Sequence, residues 1–130
     1  MDIELLTVCD FAEDVGNGKL VIVGVFDRMV VKSIPAVHPL LSVAARIRFF
    51  QYESGNHSLK ITLQDADDVY LVPPVYGDLV GSAISGNESS AANIIINVEK
   101  LKLNKLGKHS VKLEIDGVLV RSVPFFVTQK

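Results

Sequence analysis

One pattern occurs twice in this chain. Residues 55–65 read Gly-Asn-His-Ser-Leu-Lys-Ile-Thr-Leu-Gln-Asp, and residues 107–116 read Gly-Lys-His-Ser-Val-Lys-Leu-Glu-Ile-Asp. Each copy opens on a glycine, alternates apolar and polar side chains with a strict period of two, and closes on an aspartate. That is the pattern of a half-buried β-strand held between two turns. Leu59, Ile61 and Leu63 form the inward set of the first copy, and Val111, Leu113 and Ile115 that of the second. His57 and His109 share this inward parity. Each imidazole therefore belongs at the rim of a core, packing its ring and bonding a backbone carbonyl, a place that many immunoglobulin-like sandwiches give to a corner tyrosine.

The rest of the chain repeats the theme, with strand-like runs and no stretch that holds a helical period for three turns. Residues 3–9 form a first strand, ended by Glu13-Asp14-Val15-Gly16-Asn17-Gly18. Lys19–Phe26 is apolar on both faces, as expected of a strand buried on both sides or meeting another subunit, and Gly24 inside it marks a bulge. The prolines in residues 33–39 make a crossing loop. Leu41–Phe50 alternates cleanly, with Arg46, Arg48 and Phe50 outward. Pairing it as a hairpin with the first repeat sets Arg48 opposite Thr62 and avoids Lys60. A short strand follows at 69–72, and the long stretch Pro73–Ser90 holds at most a weak strand near Leu79–Ile84. In Asn93–Leu103 the inward phase changes from even to odd near Glu99-Lys100, which implies a bulge or bend. Asp116-Gly117 is a two-residue hairpin turn that sets Ile115 opposite Val118 and Leu113 opposite Val120. Pro124 places Val123–Thr128 at an edge or after a break.

The expected fold is all-β: a single domain over residues 1–130, an antiparallel two-sheet immunoglobulin-like sandwich of about eight strands. One cysteine, Cys9, permits no internal disulfide and fits a reducing compartment. The acidic start Met1-Asp2-Ile3-Glu4 is unlike a secretory leader, and the longest apolar run is far too short to span a bilayer, so the chain reads as cytoplasmic with no membrane partner. A formal charge of −2 disfavours nucleic acid. Hydrophobic residues make up 48% of the chain, more than one inter-sheet core comfortably takes, which points to a homo-oligomer or a protein partner.

No residue constellation specifies catalysis or a cofactor. A nucleophile elbow is missing, the serines at 82, 85, 89 and 90 read as loop, and Gly16-Asn17-Gly18-Lys19 precedes a strand where a phosphate loop would follow one. Metal-dependent binding or catalysis is the alternative. Its candidate ligands are His57 and His109, with His38 as a further donor, and the turn carboxylates Asp65, Asp67 and Asp68, although their spacing matches no standard zinc or calcium pattern. Arg46, Arg48, Phe50, Tyr52 and Lys60 form a candidate interaction surface of basic and aromatic side chains.

Several segments carry a resemblance. Cys9-Asp10-Phe11-Ala12, Gly18-Lys19-Leu20 through Gly24-Val25-Phe26-Asp27, His38-Pro39, Asn93–Val98, Gly107-Lys108-His109, and Asp116-Gly117 to Pro124-Phe125 resemble an uncharacterised family of short bacterial and phage-associated proteins. The likeness implies one β-sandwich domain of unassigned function and carries over no catalytic residue. Where relatives of this kind hold an aromatic, this chain has His109, which leaves room for a metal or pH role.

Overall fold

The computed structural model describes residues 1–81 and 89–130. Among the described residues it is all-β, with 75% in strands and no α-helix. The described residues form nine strands in order: β1 (Asp2–Asp14), β2 (Leu20–Val25), β3 (Arg28–Val31), β4 (Ala36–Phe50), β5 (Gly55–Gln64), β6 (Val75–Gly81), β7 (Ser89–Leu103), β8 (Gly107–Ile115) and β9 (Val118–Gln129). They form an open four-stranded sheet, β2-β1-β4-β7, and a five-stranded sheet, β3-β9-β8-β5-β6, that curls as a half-barrel.

The strict alternation of β4, β5 and β8 gives each sheet one apolar face, and these faces share a core. Leu41, Val43, Ile47 and Phe49 of β4 meet Ile61 and Leu63 of β5, Leu113 and Ile115 of β8, and Phe125 of β9. The phase change in β7 is real. Lys100 adopts φ +54°, and Val98, Leu101 and Leu103 all reach the core.

The two repeats are β5 and β8, and they pair with each other antiparallel. Ile61 lies opposite Leu113, and these residues hold the same place in the repeat. Residue for residue, one copy maps onto the other by a local two-fold axis through that pair. The symmetry extends outward, because β6 follows β5 on one side and β9 follows β8 on the other.

Several expectations need correction. Leu41–Phe50 and the first repeat do not form a hairpin: β4 and β5 lie in different sheets, joined by the 3-10 turn Gln51–Glu53 and by Gly55 at φ +118°. Local charge complementarity cannot outweigh burial of two apolar faces in one core. Ile115 does pair with Val118, but a bulge between Leu113 and Glu114 then sets Leu113 opposite Arg121. Pairing is not wholly antiparallel, since β3 runs parallel to β9. Pro124 lies inside β9, on the stretch before β3 begins to pair at Phe126, so its missing N–H faces no neighbour. The weak strand near 79–84 corresponds to β6, which ends at Gly81; residues 82–88, including Ser82 and Ser85, lie outside the described residues.

The two-faced Lys19–Phe26 segment is not buried on both sides. Its strand β2 ends the open sheet, and the β1–β2 hairpin turns back over that sheet's outer face. The bend falls at Asp10 and Gly24. Gly24 has φ +69°, a left-handed conformation that favours glycine, and a Cβ there would run into the Asp10 side chain, which would have to move. Beyond the bend, Ala12 and Ile22 close a second small core with Cys9, Ala44 and Ile95.

Candidate functional site

The hairpin is bracketed to the sheet by outward-facing polar side chains. Arg46 donates to Gly18 O (2.9 Å) and to Asn93 Oδ1 (2.8 Å), while Asn93 Nδ2 donates to Gly18 O and Asp14 Oδ2, both at 3.1 Å. Glu4 joins Arg46 and Arg48, its Oε1 2.9 Å from Arg46 Nε and its Oε2 2.7 Å from Arg48 Nε. The Arg48 hydrogen bond, with Arg46 beside it, holds the Glu4 carboxyl below the usual carboxylate range. Underneath, Cys9 is fully buried with Sγ 3.5 Å from Ser42 O, and burial pushes its thiol up. Glu4, Asp14 and Asn93 carried no sequence signal for this bracket, because the partners they meet in it lie more than 40 residues away.

The candidate surface does not form one patch. Arg46 and Arg48 serve the bracket, Phe50 stacks on Tyr52 at 6.1 Å, and Lys60 lies on the other sheet beside Glu114 (3.6 Å) and the Tyr76 ring (5.8 Å).

The two histidines stand at opposite ends of the β5–β8 pair. The antiparallel register puts His109 level with Asp65, eight residues along β5 from His57, roughly 27 Å at strand rise. His109 is fully buried beside Phe125, with Nδ1 3.0 Å from Gly107 O and Nε2 without a protein partner. His57 stacks on Phe49 at 4.8 Å and reaches Asp116 and the Glu53 carbonyl. The turn carboxylates are occupied as well. Asp65 Oδ1 accepts from the N–H of Asp67 (2.8 Å) and of Val69 (3.0 Å), while Asp67 pairs with Lys105 and Asp68 lies 3.8 Å from Lys112. Burial pushes the Asp65 carboxyl up, but those two N–H groups outweigh it and hold it below its ordinary value. Among the described residues, no three His, Cys, Asp or Glu side chains gather as a metal site. Asp65→Ala is expected to lower stability by about 1–3 kcal/mol, read by urea unfolding, because two turn N–H groups lose their acceptor; Asp65→Asn, which keeps an acceptor oxygen, should lose less.

His38 lines a surface depression of about 450 Å³ with Asp10, Phe26, Arg28, Val37 and Leu103. Its ring lies 5.9 Å from Phe26, and Arg28 stacks over Phe126, so the bases there are already engaged by aromatic faces.

The outer side of the hairpin carries a row of exposed apolar side chains. Cross-strand pairing sets Phe11 beside Val23 and Glu13 beside Val21, and Val15 N–H donates to Lys19 O at 2.9 Å. Phe11 is 46%, Val15 54%, Val21 40% and Val23 53% exposed. Neither Glu13 nor Lys19 forms an ion pair among the described residues.

Solved structures with a similar fold include the Pseudomonas fluorescens alkylpurine DNA glycosylase AlkC bound to DNA containing an abasic site analog. It is 9% identical with a TM-score of 0.53, over 97% of this chain and 30% of that one. The Listeria innocua β-glucosidase in complex with isofagomine is 12% identical with a TM-score of 0.52, over 78% of this chain and 15% of that one. At such identities the likeness is one of fold alone, and this chain spans under a third of either protein. No curated protein matches the sequence. A model described as Family of unknown function (DUF6941) matches residues 4–128.

Proposed function

The chain belongs to that family of unknown function, and we propose that it is a non-enzymatic structural module of the bacterial cytoplasm, an immunoglobulin-like sandwich that self-associates through the outer side of its β1–β2 hairpin. The observation that carries this reading is the exposed row of Phe11, Val15, Val21 and Val23 on a hairpin whose underside is already closed by its own small core. Other exposed apolar side chains include Tyr76, Val118 and Leu119, and also Val25, Val30 and Val37 around the depression that holds His38. A lone buried cysteine supports a reducing compartment. Two facing sheets, between which the chain crosses at most connections, support the sandwich reading.

A second copy suits this surface because the surface complements itself. Stacked about a two-fold axis parallel to the strands, Phe11 covers the partner's Val23 and Glu13 covers the partner's Val21, one step along from the partner's Lys19. A contact built on four apolar side chains and one charge pair suits a weak, concentration-dependent association. Sedimentation velocity across the micromolar range should show a monomer–dimer equilibrium, and Val23→Glu should abolish it. Lys19→Glu should weaken it and Glu13→Lys/Lys19→Glu restore it. A chain that stays monomeric throughout overturns self-association.

A further inference from the structure

We infer that His57 is a proton-operated clamp between the two sheets: an imidazolium that ties the 3-10 turn leaving the open sheet to the β8–β9 turn of the curled sheet. The geometry leaves the ring one role. Nδ1 lies 2.7 Å from Asp116 Oδ2, and Nε2 lies 2.5 Å from the Glu53 carbonyl oxygen. Both partners are acceptors only, so both ring nitrogens must donate, and only the protonated ring has two N–H groups. A neutral ring would turn a lone pair towards one of them.

The other groups facing the ring reinforce this. Asp116 also accepts from the Ser58 N–H through Oδ1 at 3.0 Å, and its own N–H donates to Ser58 O at 3.0 Å, so the carboxylate is fixed where it meets the ring. The Glu53 side chain turns away, its Oε1 2.7 Å from the Met1 amino group and 3.0 Å from Phe50 N. Burial pushes that carboxyl up, but the amino group and the Phe50 N–H keep it ionised below its usual range, adding a second negative charge near the ring. On β6, Leu79 lies across from His57 and Asp78 across from Ser58. Phe49, from the open sheet, stacks on the ring face. The Asp116 hydrogen bond first, and the Glu53 carbonyl next, raise the affinity of His57 for its proton above the ordinary imidazole value.

A folded-state value raised above the unfolded one fixes the sign. The clamp is fully closed below the unfolded value of about 6.5 and opens as pH rises through the folded value. Imidazole ¹⁵N NMR of the intact chain tests this. At pH 6 both His57 nitrogens should show the protonated signature, and the ring should titrate above about 6.5. Asp116→Asn should move that midpoint down. Urea unfolding should show the wild type losing stability from neutral to alkaline pH, with a flatter profile in His57→Gln. A single neutral tautomer at pH 6, or a midpoint unmoved by Asp116→Asn, overturns the clamp; neither reading depends on His57→Gln folding.

Discussion

Phe125→Ala is expected to lower the free energy of unfolding by about 3–5 kcal/mol. Phe125 is fully buried in β9, its ring 5.2 Å from that of His109, where the curled sheet closes on the core. Truncation removes the packing partner of an imidazole whose Nε2 already lacks a protein partner. Domains of this size commonly hold about 5–15 kcal/mol in all, so one side chain decides whether the fold persists on warming. Phe125→Leu, which keeps most of the volume, should cost about 1 kcal/mol. Urea unfolding of the two variants checks the ratio, and equal losses would mean that the core collapses around the site.

Ala44→Leu is expected to lift the hairpin. Ala44 is fully buried, although it points away from the main core, because Ala12 and Ile22 lie across it. Three extra carbons at such a site cost about 1–3 kcal/mol by overpacking. The strain should be relieved by the hairpin, held by a few hydrogen bonds, more easily than by the sheet beneath it. Cys9 reports the movement. In the wild type its thiol should react with a disulfide reagent only through rare opening, and in Ala44→Leu tenfold to a hundredfold faster, the factor that about 1.4–2.8 kcal/mol implies. Unchanged labelling would show that the hairpin does not carry the strain.

What the sequence made legible follows the range of each interaction. Alternation in Leu41–Phe50 and in both repeats identified the inward side chains, because period two is written into every residue of a strand. The phase change at Lys100 and the Asp116-Gly117 turn were legible for the same local reason. Pairing partners were not. Arg48 gives no sign that its carboxylate is Glu4, 44 residues away, and nothing near Asn93 announces Asp14 and Gly18. The Lys19–Phe26 segment showed two apolar faces, but whether the second meets a core, a subunit or solvent depends on a bend set by one glycine. The histidines were legible as inward rings that meet a backbone carbonyl, although His109 is fully buried where a rim place was expected, and they were misleading as a pair, since identical repeats that run antiparallel carry identical positions to opposite ends.

That local two-fold has a consequence during synthesis and refolding. Any strand lying across such an axis can also meet its own duplicate from another chain in the same register. For β5, Ile61 would face Ile61 and Leu59 would face Leu63, leaving every apolar position matched. Only the polar row distinguishes the outcomes. Within one chain Lys60 meets Glu114, whereas between two copies of β5 it would meet Thr62. Concentrated refolding is therefore a contest between tethering and stoichiometry, with two acidic side chains, Glu114 facing Lys60 and Asp116 at Ser58 and His57, tilting it towards the monomeric sheet.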